Sequence, residues 1–331
     1  MPQSPRNKSG RRSDKVEATR KGRGALSRSS AKRERALTVT TALLHGWPLP
    51  QPHDEDDKEE RGRVLVVGGA PELPGAVILA ATAALRAGAG KLQIATCRSI
   101  AQAIAVAVPE ARVIPLPETK AGAIALSAAD RIIEHARSAQ AVLLGPGMMG
   151  QDATVRLLKS ILPEVSGVPL VLDAGALVCV ERDEECLHPL QGEVVLTPHA
   201  GEMSRMLGAD KEGVEREASG TAQRAAKQLR AVVALKGART YISAPTGETY
   251  CNRTGNVGLA TSGSGDTLSG IITGLAARGA TPVQAAVWGV HLHGRAGDRL
   301  ARRVGPLGFL ARELLAEVPS LMAQLSRAKK A

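Results

Sequence analysis

Gly263-Ser264-Gly265-Asp266 sets two residues without a β-carbon around a serine, places an acid directly after them, and runs at once into an apolar pattern of helical period (Leu268, Ile271, Ile272, Leu275). Glycines let successive backbone N–H groups turn toward one point. The helix that follows adds the positive end of its dipole, so an anion such as phosphate can be seated without a cationic side chain. A carboxylate beside a bound phosphate needs a task, and accepting the proton of an attacking hydroxyl is the chemistry that fits Asp266. The same tetrapeptide is also ordinary turn chemistry, with an aspartate capping free N–H groups at a helix start. What the rest of the chain brings to this loop decides between the two.

Lys236-Gly237 follows a short apolar run, where a lysine offers a mobile point charge to a nucleotide phosphate and the glycine permits close approach; a solvated lysine at a strand end is the simpler alternative. In Thr197-Pro-His-Ala-Gly-Glu202 the residues His199 and Glu202 lie three apart, on one helical turn. His199 can face a substrate and Glu202 a metal-bound water, or Glu202 can simply balance the dipole at a helix start. His291 and His293 lie two apart in a helical stretch, cannot share a face, lack the spacing of a helical zinc site, and read as packing residues. No Ser/His/Asp set is evident around Asp266.

The elements that must position these residues repeat one phrase. Val64–Val67 runs into Gly68-Gly69, Ala141–Leu144 into Gly145-Pro-Gly147, Leu170–Leu172 into Asp173, Val194–Leu196 into Thr197, and Val232–Leu235 into Lys236. Short continuous apolar runs read as strands buried on both faces. Helical patterns alternate with them: Ala76 to about Ala87, Ser99 (as cap) through Val106, Ser127 to about Ala139. That alternation predicts right-handed crossovers and a mostly parallel sheet covered on both sides, in which ligands bind beyond the carboxyl ends of the strands. Thr240–Ser243 and Thr249–Cys251, with Thr246-Gly247 between, predict a β-hairpin returning the chain to the glycine-rich loop. Three helices close the sequence: from that loop to Arg278, from Thr281-Pro282 to about Arg303, and from about Leu307.

Composition bounds the rest. In 331 residues, one Phe, two Tyr and two Trp leave an aliphatic core. Residues 1–36 hold 12 Lys/Arg against 3 Asp/Glu, so +9 of the net +11 sits there and only +2 belongs to everything after. Without aromatic interleaving or a reader motif, that basic stretch reads as a solvated arm and argues against a nucleic-acid partner. Residues 37–62, with Trp47-Pro-Leu-Pro-Gln-Pro, read as an extended polar connector, and 63–327 as a single catalytic domain. Cys97, Cys179, Cys186 and Cys251 form no Cys-x-x-Cys, which predicts free thiols in a reducing compartment. No apolar run is long enough to span a bilayer, and the expected location is the cytoplasm.

Taken in order, Val-Val-Gly-Gly…Pro-Gly-Ala-Val, Gly-Pro-Gly, Leu-Thr-Pro-His-Ala-Gly-Glu, Leu-Lys-Gly-Ala-Arg-Thr and Gly-Asn-Val-Gly-Leu-Ala-Thr-Ser-Gly-Ser-Gly-Asp resemble the ADP/ATP-dependent NAD(P)H-hydrate dehydratases of the ribokinase-like superfamily. The resemblance covers about Leu37 to Leu325 and implies a three-layer α/β/α fold. It also implies an enzyme that uses ADP (or ATP), with Mg²⁺, to dehydrate the S form of hydrated NADH or NADPH. On matching positions it makes Asp266 the catalytic base and Gly263, Ser264 and Gly265 an anion hole. Lys236, Gly237, Ala238, Arg239, Thr240 and Gly265 become the nucleotide site, and Ala76, Gly147, His199 and Asp266 the substrate contacts. Glu202 would act indirectly on the metal. A homo-oligomer, a tetramer among the options, and a separate epimerase as pathway partner are implied as well.

Three departures from the family pattern stand out: Gly175 replaces the second acid two residues after Asp173, Leu73 replaces an aromatic residue, and Gly145-Pro-Gly-Met-Met-Gly150 carries one residue more than the usual loop. The alternatives are a small-molecule kinase on the same fold, acting on a vitamin-precursor alcohol, and a non-catalytic nucleotide-sensing protein.

Overall fold

Period-two alternation along each central strand separates two hydrophobic cores. Val64, Val66, Ala141, Leu143, Val171, Val195, Val232 and Ala234 face one; Leu65, Val67, Val142, Leu144, Leu170, Leu172, Val194, Leu196, Val233 and Leu235 face the other. A strand apolar on both faces is stable only between two layers, and helices supply them. The computed structural model describes residues 36–51, 61–190 and 192–326. The basic stretch up to residue 35 and most of the charged stretch before Arg61 lie outside the described residues.

In chain order the elements are β1 (Leu37–Thr38), α1 (Thr41–His45), β2 (Arg63–Val67), α2 (Pro74–Arg86), β3 (Lys91–Cys97), α3 (Arg98–Ala107), β4 (Ala111–Leu116), α4 (Ala129–Arg137), β5 (Ala141–Leu144), α5 (Gln151–Ile161) and β6 (Leu170–Leu172). There follow α6 (Val178–Arg182), β7 (Val194–Leu196), α7 (Ala200–Leu207), α8 (Lys211–Arg216), α9 (Ala218–Leu229), β8 (Val232–Leu235), β9 (Thr240–Ser243), β10 (Thr249–Asn252), α10 (Ser264–Ala277), α11 (Pro282–Arg303) and α12 (Ala311–Ser326). One sheet runs β1-β10-β9-β8-β7-β6-β5-β2-β3-β4. From β8 to β4 every pairing is parallel, whereas β9 is antiparallel to both its neighbours. The chain winds outward from β2 through β3 to β4, then returns to β5 and winds the other way, so the direction of winding reverses between β2 and β5. That reversal opens a crevice at the carboxyl edge, where such sheets bind ligands.

α10 is the best-buried helix approach to that edge. It packs on α2 so closely that a β-carbon at Gly270 would lie 2.1 Å from the carbonyl oxygen of Ala80, and one at Gly274 would lie 2.4 Å from that of Ala84. Alanines on one helix and glycines on the other bring the two backbones together, which holds the first turn of α10 against the β2–β5 crevice.

Two expectations change. Residues 37–50 do not form a connector: β1 pairs in parallel with β10, and Val39, Leu44 and Leu49 are buried in the core. The indole N–H of Trp288 donates to the carbonyl oxygen of Trp47 at 2.9 Å, and Arg278 donates to that of Pro50 at 2.9 Å. Spaced apolar residues and buried carbonyl acceptors, hidden in a proline-rich stretch, make this segment part of the domain. Ser99 is not a helix cap either; Cys97 occupies that position with no side-chain bond, and the Ser99 hydroxyl donates to Glu118 at 2.8 Å.

Candidate active site

Three consecutive parallel strands each present one polar residue at the carboxyl edge. Asp173 follows β6, Thr197 follows β7 and Lys236 follows β8. Lys236 Nζ donates to Asp173 Oδ1 at 3.0 Å, reaching across the intervening strand, and Thr197 Oγ1 donates to the same oxygen at 2.8 Å. Asp173 is 1% exposed, and a carboxylate in that position is tolerated because it is paired. Burial opposes its charge, yet the Lys236 ammonium and the Thr197 hydroxyl hold its carboxyl below the ordinary range. Burial likewise opposes the Lys236 charge, and Asp173 and Glu202 together raise that group above the usual lysine range. Ala174, the next residue, has φ +47° without being glycine, a strained conformation of the kind that persists where surrounding structure enforces it.

Glu202 and His199 form a reciprocal cap at the start of α7. His199 Nδ1 accepts from the amides of Gly201 and Glu202 at 3.0 and 3.3 Å, and Glu202 Oε2 accepts from the His199 amide at 2.8 Å. Because Nδ1 is an acceptor, the neutral ring carries its proton on Nε2. Glu202 Oε2 also stands 4.0 Å from Lys236 Nζ, so the capping carboxylate extends the acidic surround of the ammonium.

The first turn of α10 meets this group from the other side. Gly263 holds φ +84°, a conformation that turns the chain into the helix and that residues with a side chain adopt at a cost. The Ser264 amide donates to Thr261 and the Thr267 amide to Gly263. No side chain caps the helix, which leaves the Gly265 amide directed outward from the first turn. A β-carbon at Gly265 would lie 3.4 Å from Lys236 Nζ. The ammonium therefore sits at the positive end of a helix, an arrangement stable only beside anions, and Asp173 is one. Burial, and then the charge of Asp173, push the Asp266 carboxyl up to about 6, against the pull of Lys236. Such a group is a base at neutral pH that holds a proton better than an exposed aspartate.

Of the residues expected to hold a nucleotide, Lys236, Gly237, Ala238, Thr240 and Gly265 line one open cavity of about 790 Å³, together with His199. Arg239 is exposed beside it and is not among the lining residues. Ala76 and Gly147 form a second group at the β2–β5 crevice: a β-carbon on Gly147 would stand 3.1 Å from Ala76 Cβ. The α10 turn lies between the two, with Gly265 toward Lys236 and Gly263 against Leu79 of α2.

The sequence model of the NAD(P)H-hydrate dehydratase family matches residues 64–320. The chain belongs to that family. The ADP-dependent (S)-NAD(P)H-hydrate dehydratase of Xanthomonas campestris pv. campestris is 48% identical over 294 residues, 88% of this chain and 98% of that protein. The bifunctional NAD(P)H-hydrate repair enzyme Nnr of Moorella thermoacetica is 44% identical, and the match spans 54% of it. Among solved structures, the ADP/ATP-dependent NAD(P)H-hydrate dehydratase of Bacillus subtilis, co-crystallized with ATP/Mg²⁺, superposes with a TM-score of 0.73 at 28% identity over 88% of this chain and 99% of that one. A point mutant of phosphofructokinase-2 of Escherichia coli, at 14% identity and TM-score 0.55, shares the fold; the fold is the ribokinase-like three-layer α/β/α.

Within this family framework two departures of the sequence explain each other. A β-carbon at Gly175 would lie 2.4 Å from the carbonyl oxygen of Met148, so the longer Gly145–Gly150 loop occupies the space an acidic side chain at position 175 would need. Sequence reading missed two residues here. Asp173 was legible as a strand end but not as the partner of Lys236, 63 residues on. His293, read as packing, has its Nε2 3.0 Å from Ser264 Oγ in the Gly263–Asp266 loop. Every residue of α11 from Gln284 to Gly294 is buried, so no contrast of exposed and buried faces marked which of them turns toward the site.

Proposed function

We propose that this chain dehydrates (S)-NAD(P)H hydrate at the expense of an adenine nucleotide, ADP being the expected donor. The observation that carries the reading is the first turn of α10 set against the Lys236 ammonium, a β-carbon at Gly265 lying 3.4 Å from Lys236 Nζ, with Asp266 the next residue and close enough to feel the charges of Asp173 and Lys236, within a chain of this family. Hydroxide is a poor leaving group, and phosphorylation of the ring hydroxyl converts it to phosphate. In the first step Asp266 takes the hydroxyl proton while the hydroxyl oxygen attacks the terminal phosphorus of the nucleotide; with ADP, AMP departs. The α10 turn and Lys236 stabilise the charge on the transferred group. In the second step the ring nitrogen's lone pair expels phosphate and the adjacent carbon loses a proton, restoring the reduced nicotinamide.

The nucleotide occupies the cavity at β8–β10 and the hydrated ring the β2–β5 crevice beside Ala76 and Gly147, with His199 offering its Nε2–H at the boundary. Among the described residues no group of three or more His, Cys, Asp or Glu is placed to hold a metal. Mg²⁺ bound chiefly by nucleotide phosphates and water fits that arrangement, with Glu202 the carboxylate able to meet it through water. When bound, the ion would neutralise phosphate charge. A homo-oligomer, a cytoplasmic location and a separate epimerase complete the proposal; among the described residues no helix is long and apolar enough to cross a membrane.

The test is the near-ultraviolet absorbance of reduced nicotinamide in purified protein given hydrated NADH, Mg²⁺ and either ADP or ATP. A nucleotide-dependent rise is expected, falling about 10³-fold in rate in Asp266→Asn, as for loss of a general base. No rise from protein that binds the nucleotide would overturn the reading; accumulation of a stable phosphate ester would place the chain among small-molecule kinases.

A further inference from the structure

The Ser264 hydroxyl is buried, belongs to the first turn of α10, and lies 3.0 Å from His293 Nε2. That contact has two possible polarities. If Nε2 lacks a proton, the hydroxyl must donate to it, and its lone pairs then face whatever occupies the loop. If Nε2 carries the proton, the ring donates to Ser264 Oγ and the hydroxyl hydrogen is released to donate elsewhere. An anion bound at the α10 turn favours the second state, because a lone pair directed at a phosphoryl oxygen is repulsive whereas an O–H is an added donor. Burial pushes the His293 ring down to about 4, so it is neutral at ordinary pH and has one proton to place.

His293 is also rigidly placed. It lies mid-way along α11, and its neighbours on that helix fix the loop leading to the anion turn: Asp298 accepts from the Gly255 amide at 3.2 Å and from Asn256 Nδ2 at 3.3 Å, and His291 Nδ1 contacts Asn252 Oδ1 at 3.2 Å. Both His293 and Ser264 line the cavity that holds Lys236 and Gly265.

We propose that His293 is a positioning residue which, as the Nε2–H tautomer, turns the Ser264 hydroxyl into a hydrogen-bond donor to the transferred phosphoryl group. This deepens the nucleotide-driven reading and rests on it. It makes the anion hole a side-chain and backbone device, with the polarity of one donor set from a helix outside the loop.

Kinetics and spectroscopy test it separately. In the hydrated-NADH assay, His293→Phe is expected to lower kcat on the order of tenfold with KM for the nucleotide little changed, and His293→Gln, whose amide can donate to Ser264 Oγ, to recover most of that loss. Ser264→Ala should cost about a hundredfold at most, the lower end of the loss for an oxyanion donor. Adding His293→Phe to it should cost nothing further, since His293 acts only through the hydroxyl. A further tenfold loss in the double variant, or a Gln variant as slow as Phe, would overturn the proposal. In the second arm, protein labelled with ¹⁵N-histidine and saturated with ADP and Mg²⁺ should show the His293 ring protonated at Nε2, the signal assigned by its loss in His293→Gln. A bare Nε2 in the nucleotide complex would equally overturn it. This arm needs no turnover: a wild-type protein that binds nucleotide yet yields no absorbance rise fails the dehydration reading, while the tautomer still answers for His293.

Discussion

Asp266 carries a cost in stability that its proposed role as a base would explain. Its folded value of about 6 lies above the ordinary 3.8, so the folded state holds this proton more tightly than the unfolded chain. The sign follows from linkage: above pH about 6 the charged carboxylate destabilises the fold, the penalty diminishes as pH falls through that value, and it is gone below about 4. Replacing the carboxylate by an amide removes the penalty. Asp266→Asn is therefore expected to be inactive yet more stable than the parent by about 2 kcal/mol at pH 7.5, from a shift of roughly two units at 1.4 kcal/mol each, reduced for partial exposure. The gain should vanish at pH 4. Urea unfolding of both proteins at the two pH values measures it; equal stability at pH 7.5 would mean that the carboxylate is better solvated than its burial beside Asp173 implies. Asp173 is the opposite case, a more deeply buried carboxylate made tolerable by Lys236 and Thr197.

At the scale of elements, the strand ends were legible because two signals coincide there: a run of aliphatic residues that only a doubly covered strand can bury, and a glycine or polar residue that such a strand cannot continue into. Helix α11 was legible for a similar reason, with Thr281 capping it by accepting from the Gln284 amide at 3.3 Å. The roles of its histidines were not, because they lie in the part of the helix, Gln284 to Gly294, that is buried on all sides and carries no periodic contrast to read. Ion pairing between strands was equally hidden; β6, β7 and β8 lie side by side in the sheet in chain order, but only the side-chain reach across β7 brings Lys236 to Asp173.

The placement of the α10 turn was not legible either, and it depends on helix contact. With 2.1 Å between a β-carbon at Gly270 and the Ala80 carbonyl oxygen, Gly270→Ala must force α10 away from α2. Such overpacking against backbone, which cannot rotate aside, is expected to cost about 2–4 kcal/mol in urea unfolding. Because the anion turn rides on the same helix, the folded fraction should also lose turnover with KM for the nucleotide raised. An unchanged unfolding midpoint would show that the two helices have slack the packing does not reveal.

At the scale of the whole molecule, the open question is where the folded unit begins, and residues 37–50 answer it physically. Among the described residues, those from 36 onward belong to one compact unit. Within this stretch Leu44, Leu49 and Val39 are at most 5% exposed, each worth about 1.5–3 kcal/mol of burial before the entropy of ordering the segment is subtracted. The segment also satisfies groups elsewhere: Gln284 Nε2 donates to the carbonyl oxygens of Trp47 and Pro48 at 3.3 and 2.9 Å, Trp288 Nε1 donates to Trp47, and the Trp47 ring stacks on Tyr250 at 5.9 Å between centroids. Deleting it would strand a buried indole N–H at about 1–3 kcal/mol. A chain lacking residues 1–34 is therefore expected to melt within about 2 °C of the full protein, whereas one lacking 1–50 should lose at least about 3 kcal/mol, roughly 5 °C or more. The two tryptophans make the second truncation self-reporting. With Trp47 removed, all indole emission comes from Trp288, fully buried in the intact fold, and a red-shifted emission maximum would mark its exposure. If the shorter chain kept both the parental midpoint and a blue emission, the domain would begin at Arg63 after all, and β1 would be an edge strand that the sheet can lose without consequence.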